Sequence, residues 1–146
     1  MAASLPPIVS KDWAAARCST RKTATLCPGD ITATGSYSIS FNYSNVRVVA
    51  AYVIPDADLA ADNSNYFTFQ LTNRGLTGGG TTTLLATAVN TTVASGTSAL
   101  AYEHFMVTPD QNQELAKGSV LSFEVVESGT ATLSNPSLVV EYQENL

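Results

Sequence analysis

The chain has 146 residues, which suits one domain with a single core that buries roughly 68–70% of its unfolded surface. Only 13% of the residues are charged and Ser and Thr together number 33, a composition typical of a β-rich protein and unlike that of a helical bundle. The net charge of −5 lacks the basic footprint that neutralises phosphates, so nucleic acid is not expected as a partner.

The first thirty residues differ in charge from the rest. They hold four bases and two acids, a net of +2, whereas residues 31–146 hold three bases and ten acids, a net of −7. Pro6-Pro7 favours extended polyproline II backbone, and Cys27-Pro-Gly-Asp30 predicts a turn. We therefore predict an extended N-terminal arm over residues 1–30 and a β-sandwich domain over residues 31–146.

Two patterns bear on where the protein is made. Residues 1–10 lack the basic start and the apolar run of an export signal, so we expect none. The most apolar stretch, Val46 to Ile54, is nine residues long, too short to form a membrane-spanning helix. We expect a protein of the cytosol with no membrane partner.

The arm carries a distinct set of side chains. Its apolar anchors are Leu5, Ile8 and Trp13, the only Trp of the chain, and its basic residues include Arg17, Arg21 and Lys22. Such a segment suits an acidic or mixed partner surface, and we predict that these six residues contact a partner. The alternative is that the arm packs on its own domain, as tethered termini commonly do.

Cys18 and Cys27 are the only cysteines. With His104 as the single histidine, they cannot complete a four-ligand zinc site, and no metal or cofactor is expected. We expect two reduced, half-buried thiols, with a disulfide across the short loop as the alternative.

From residue 36 onward, short strands alternate with Gly, Pro, Asn and Asp clusters. Seven strands are predicted, at residues 36–41, 46–54, 66–71, 84–89, 99–107, 121–125 and 138–142, and the stretch 20–34 is left open as an eighth. Helical signal is confined to three short segments, at residues 11–17, 58–62 and 113–117. The pattern predicts an all-β fold, a single antiparallel β-sandwich resembling a jelly roll.

The predicted strand from Val46 to Ile54 is apolar on both sides. Strict alternation places the even-numbered residues on one face, and Val49, Ala51 and Val53 on the other. Because a two-layer sandwich covers only one face of each strand, the second must be covered by a loop, by the arm or by a neighbouring subunit. We predict that Val49, Ala51 and Val53 form a subunit interface.

Catalytic motifs are sparse. His104 lies within a strand pattern and no Gly-x-Ser-x-Gly occurs, so we expect no enzyme and interpret His104 as a cross-strand or interface side chain. The acidic stretch 56–65 fails the EF-hand template, which favours a loop whose Asp and Asn side chains bond their own backbone. Residues 75–80 predict a glycine-rich hairpin loop with no phosphate-binding pattern.

Four stretches share their order with a known family. They are Val48-Val-Ala-Ala-Tyr-Val-Ile-Pro55, Leu59-Ala-Ala-Asp62-Asn-Ser-Asn65-Tyr66, Lys117-Gly118-Ser-Val-Leu-Ser-Phe-Glu124 and Leu138-Val-Val-Glu-Tyr142. Over residues 46–143 the chain resembles the head decoration, or cement, proteins of tailed bacteriophages. The arm lies outside this resemblance.

The resemblance implies a small β-sandwich protein that binds the outer surface of an icosahedral capsid and has no catalytic residues. It also implies the major capsid protein as partner, a homotrimer as the oligomer and the virion as the location. The alternative from another class is a glycan-binding or host-surface-binding sandwich of a head fibre or spike. That alternative needs an aromatic platform, whereas Trp13 lies in the arm.

Overall fold

The computed structural model describes residues 21–145. These residues form ten strands and one 3-10 turn at Val93–Ser95. The strands are β1 (Arg21–Leu26), β2 (Gly35–Ser40), β3 (Asn45–Ile54), β4 (Tyr66–Gly75), β5 (Thr82–Thr83), β6 (Val89–Asn90), β7 (Phe105–Met106), β8 (Glu114–Leu115), β9 (Val120–Ser128) and β10 (Ser137–Asn145).

The strands make two antiparallel sheets that pack face to face. Sheet I has the order β1-β10-β3-β7, with β8 also paired to β3, and sheet II has the order β2-β9-β4-β5, with β6 also paired to β4. The chain crosses between the sheets after β1, β2, β3, β6, β8 and β9. If β5 with β6 and β7 with β8 each count as one interrupted strand, this order is that of an eight-stranded jelly roll. The predicted sandwich is confirmed.

The core lies between the two inner faces. Sheet II contributes the alternating residues of β4 and β9, with Phe67, Phe69 and Phe123 fully buried, and sheet I contributes Leu138 and Val140 of β10. Each fully buried side chain of this size contributes about 1.5–3 kcal/mol by leaving water. The period-two pattern in the sequence therefore identifies the core strands correctly.

A β-bulge in β3 changes which of its residues face the core. Glu141 pairs with Ala50 and the next residue of β10, Tyr142, pairs with Val48, so Val49 has no partner in the ladder. The extra residue shifts the alternation, and four residues, Val46, Val48, Ala51 and Val53, are fully or almost fully buried in the core. Strand β3 has apolar residues on both faces as predicted, but the residues on each face differ from those that strict alternation predicts. Ala51 and Val53 face inward, whereas Val49 is half-buried on the outer side.

Other local expectations need correction. Residues 21–26 were expected in the arm, yet they form β1 and pair with β10 along its whole length, so the sandwich begins before residue 30. Residues 113–117 contain β8 instead of a helical turn, and residues 58–62 contain the bridge of Leu59 to Ala99. The expected strands at 84–89 and 99–107 are reduced to β6 and β7, each two residues long. The predicted helix at 11–17 lies outside the described residues.

The two outer faces of the sandwich differ in chemistry. On sheet II, β2 presents Ser36, Ser38 and Ser40 to solvent, and Arg74 pairs with Glu124 at 2.5 Å. On sheet I, the outward residues of β3 and β10 include Tyr52, Ile54 and Val139, with Val139 only 4% exposed although it lies outside the core cluster. The outer face of sheet I is therefore more apolar around Tyr52 than the outer face of sheet II, although Glu141 and Arg21 also lie on it.

Candidate functional site

One end of the sandwich, here called the loop end, gathers the loops 27–34, 55–65, 91–104 and 129–136. Side-chain oxygens of one loop accept hydrogen bonds from the backbone of another. Asp30 accepts from Asn135 at 2.9 Å, Asn65 from Thr130 at 3.0 Å, and Asn63 from Val93 at 3.1 Å. These bonds link the four loops to one another in a single arrangement.

Asp62 organises the acidic loop. Its carboxylate accepts the backbone N–H groups of Asn65, at 2.9 Å, and of Ser64. These two hydrogen bonds, the one from Asn65 first, lower the pKa of Asp62 below its ordinary value of 3.8. The prediction of a loop whose Asp and Asn side chains bond the local backbone is confirmed.

Tyr102 is the most unusual residue of the loop end. Its φ is 60°, in the left-handed region that bulky residues rarely adopt, and its side chain is 75% exposed. The backbone N–H of Tyr102 donates to Pro55 O at 2.8 Å, and the N–H of Ala101 donates to Asp58 Oδ1 at 2.7 Å. These contacts with the 55–65 loop hold the strained conformation, and strain of this kind clusters at binding sites.

Two exposed apolar side chains lie close to Tyr102 in the chain, although Tyr102 does not line the groove that they share. Leu100 and Met106 are 43% and 50% exposed, and both line an open groove of about 360 Å³ that also includes His104. We call Leu100, Tyr102, His104 and Met106 the loop-end patch. An exposed patch with a fixed aromatic residue is typical of a surface that binds another protein.

His104 connects the patch to sheet I. His104 lies in the loop just before β7 and not within a strand as expected, and its imidazole stacks on the ring of Tyr52 in β3, with centroids 4.2 Å apart and 15° between the planes. The Tyr52 hydroxyl donates to Glu141 Oε1 at 3.2 Å. Burial first, and then this hydrogen bond and the nearby carboxylate charge, raise the pKa of Tyr52 above 10.0.

A second concave surface lies away from the patch. It is an open groove of about 620 Å³ lined by polar side chains: Arg47, Asn73, Thr82, Asp110, Gln111, Asn112, Gln113 and Glu114. Internal hydrogen bonds fix it, since Arg47 donates twice to Gln113 Oε1, at 3.1 and 3.0 Å, and Asn112 Nδ2 donates to Thr83 O at 2.9 Å. Such amide and carboxylate groups suit a ligand rich in hydroxyl groups.

The predicted contact residues of the arm fall into two groups. Leu5, Ile8, Trp13 and Arg17 lie outside the described residues. Arg21 and Lys22 lie on β1 and pair within the domain: Arg21 with Glu141 at 3.5 Å and Lys22 with Glu144 at 2.6 Å. The hydrogen bond from Lys22 to Glu144 raises the pKa of Lys22 above 10.5. Both cations therefore have carboxylate partners in their own sheet.

The predicted interface residues are also separated. Ala51 and Val53 have no exposed surface and pack in the core, so they are not available to another subunit in this fold. Val49, at the bulge, remains half-buried on the outer face of sheet I. Cys27 carries a free, exposed thiol 3.7 Å from the Ser137 hydroxyl, which corrects the expected half-burial, and Cys18 lies outside the described residues.

Sequence patterns gave no signal for the loop-end patch. A left-handed backbone is usually marked by Gly, Asn or Asp, and Tyr102 is none of these.

Within residues 21–145, no group of three or more His, Cys, Asp or Glu side chains is placed to hold a metal ion. The part of the chain that the structure describes also contains no helix long and apolar enough to cross a membrane.

Comparisons with known proteins identify no family. No protein-family model matches the chain, and no curated protein sequence matches it. Among solved structures, it is similar to a chain of infectious bursal disease virus, strain Gx, at 13% identity and a TM-score of 0.26. The match covers 87% of this chain and 34% of the viral chain, so the present chain spans about a third of that length. A TM-score of this size does not define the fold, which rests on the strand order.

Proposed function

We propose that the protein is a non-enzymatic virion structural protein that binds the outer surface of an icosahedral phage capsid and stabilises it. The resemblance of four sequence stretches to phage head decoration proteins supplies the partner class, the major capsid protein. The jelly-roll order of the strands is compatible with this role, because viral capsid domains use the same architecture.

The observation that carries the proposal is Tyr102. An aromatic side chain that is 75% exposed, on a strained backbone held by hydrogen bonds that Tyr102 and Ala101 donate to the 55–65 loop, is poorly explained by folding alone. It suits an anchor that fills a pocket on a partner. The loop-end patch is therefore our candidate for the capsid contact.

The stabilisation follows from linkage. A ligand that binds the assembled shell and not the dissociated subunits shifts the equilibrium toward assembly. Many copies on a closed shell each bridge neighbouring capsid subunits. A modest binding free energy per copy therefore sums to a large stabilisation of the shell. A homotrimer placed at a three-fold axis would contact three capsid subunits at once, and it remains our prediction for the oligomer.

Two substitutions at one position test the proposal. Tyr102→Ala removes the anchor and should weaken binding to stripped capsid shells by about 30-fold, as expected for a hot-spot aromatic residue. Tyr102→Gly should weaken binding equally, yet leave the free energy of unfolding unchanged or raise it by up to about 1 kcal/mol, because glycine relieves the left-handed strain. Co-sedimentation with shells and urea denaturation measure the two effects.

Tyr43 provides the matched control. It is 90% exposed in the turn between β2 and β3, at the opposite end of the sandwich, so Tyr43→Ala removes an even more exposed ring from another surface. We expect Tyr43→Ala to bind shells like the wild type. If both alanine variants bind normally, the loop-end patch does not contact the capsid.

The polar groove supports a second candidate function, a glycan-binding or host-surface-binding module. Gln111, Asn112 and Asp110 line it and offer amide and carboxylate groups to sugar hydroxyls. A glycan array followed by titration of any hit tests this function. Binding that is lost in Gln111→Ala and retained in Tyr102→Ala would support the groove, whereas an array without hits would oppose it.

A further inference from the structure

The exposed ring of Tyr102 stands on a tight turn between Leu100 and Glu103. The N–H of Glu103 donates to Leu100 O at 3.2 Å, which closes a four-residue β-turn. Tyr102 occupies the third position of this turn with a φ of 60°, whereas the φ of Ala101 is negative. A positive φ at the third position alone is the pattern of a type II turn, in which that position ordinarily holds Gly or Asn. The chain therefore has a tyrosine where the local backbone favours glycine.

The alternative for a tyrosine is a type I turn, in which the third residue has a φ of about −90°. The two turn types differ by a flip of the peptide between the second and third residues, here Ala101 and Tyr102. In the observed turn, the N–H of that peptide donates to Pro55 O at 2.8 Å. A flip would turn this N–H away from Pro55 and would redirect the ring of Tyr102. The direction of the ring thus depends on contacts outside the turn.

Asp58 supplies a side-chain contact to this turn. Its Oδ1 accepts the N–H of Ala101, the residue before the peptide that flips, at 2.7 Å. An ionised carboxylate makes a stronger hydrogen bond to a backbone N–H than a neutral acceptor does. Leu59 pairs with Ala99 through two backbone hydrogen bonds, of 2.7 and 3.0 Å, so Asp58 extends a contact that already joins the two loops. Because Asp58 is exposed, its substitution removes this bond without a change in the core.

We propose that Asp58 is a positioning residue for the Tyr102 anchor. The inference rests on the proposed function, in which Tyr102 contacts the capsid, and it assigns the choice of turn type to a side chain outside the turn. Only the type II turn gives the ring its observed direction, so the measured affinity falls in proportion to the fraction of molecules that hold this turn. Loss of the Asp58 carboxylate lowers that fraction, and binding weakens although Tyr102 is still present.

Shell binding and hydrogen exchange measured by NMR together test the proposal. Asp58→Ala should weaken binding to stripped capsid shells by about tenfold and should speed exchange of the Ala101 amide by about tenfold. Asp58→Asn keeps an oxygen acceptor of the same shape without the charge, and both values should stay within about threefold of the wild type. Asp56→Ala is the matched control, because Asp56 is an exposed carboxylate of the same loop. In the Tyr102→Ala background, Asp58→Ala should cause no further loss of binding.

The other outcomes separate this inference from the proposed function. Unchanged exchange of the Ala101 amide in Asp58→Ala would overturn the positioning role. Weak binding of Tyr102→Ala together with normal binding of Asp58→Ala would overturn it as well. Equal losses of binding in Asp58→Asn and Asp58→Ala, with a protected Ala101 amide in Asp58→Asn, would replace positioning by a direct charge contact. Normal binding of Tyr102→Ala would instead overturn the proposed function, and exchange at Ala101 would still decide whether Asp58 holds the turn.

Discussion

The two outer faces of this sandwich belong to antiparallel sheets of the same kind, yet they carry different side chains. Sheet II presents Ser36, Ser38 and Ser40 with the Arg74 and Glu124 pair, a surface that water solvates well. Sheet I has Tyr52 and Val139 on its outer side, where His104 stacks on Tyr52 and Val139 is only 4% exposed. The difference teaches that two faces of one architecture differ in how far water reaches their outward side chains.

The largest expected effect comes from placing a charge on each outer face in turn. Val139→Asp buries an unpaired carboxylate beside Tyr52 and Thr25, its register neighbours, and should lower the free energy of unfolding by about 3 kcal/mol. Ser38→Asp, on the polar face, should change it by less than about 0.5 kcal/mol. Urea denaturation of both variants measures the contrast, and equal effects would contradict it.

An alkaline titration sharpens the comparison at one residue. The pKa of Tyr52 is raised above 10.0, so the folded protein holds the phenol proton more tightly than the unfolded chain does. The stability this confers is complete below pH 10 and is lost as the pH rises through the folded-state pKa. Tyr52→Phe should cost about 1 kcal/mol at neutral pH and flatten the decline between about pH 9 and about pH 11.

Glu141→Gln is the companion variant for that titration. It removes the carboxylate charge that contributes to the raised pKa and leaves a neutral acceptor for the Tyr52 hydroxyl. We expect an alkaline decline smaller than that of the wild type and larger than that of Tyr52→Phe. A Tyr52→Phe profile identical to the wild type would show that Tyr52 does not carry the alkaline dependence.

The smallest expected effect is on the polar face. Arg74 and Glu124 have side chains 31% and 25% exposed, and such pairs contribute about 0.2–1 kcal/mol. Glu124→Gln should cost an amount in that range at low salt and less at about 1 M salt, where the Debye length is about 3 Å. Glu103→Gln, in a solvent-exposed loop, serves as the charge-matched control, and a larger loss there would contradict the assignment.

The sequence predicts the strands of the sandwich wherever apolar and polar residues alternate. Phe67, Phe69 and Phe123 occupy the core as the period of two requires. The pattern fails at Val49, because a bulge adds one residue without any change in composition. It fails again at β1, where an edge strand exposes most of its side chains and resembles a polar arm.

The candidate site is harder to predict from the sequence than the fold is. The conformation of Tyr102 depends on Pro55 and Asp58, more than forty residues away in the chain, and only the folded loops bring these groups together. The sequence shows that Arg21 and Lys22 are adjacent bases, whereas their carboxylate partners on β10 follow only from strand pairing. Local sequence patterns predict strands, whereas the surface of the folded protein depends on contacts between residues that are far apart in the chain.

The interruption of the strands along one side of the sandwich limits how copies of the protein associate. Strands β5, β6, β7 and β8 are two residues each, so this side offers no continuous ladder to which a foreign strand adds. Among the described strands, growth by strand addition is left with the six-residue edges β1 and β2. The described part of the chain therefore offers few edges from which a fibre grows by strand addition.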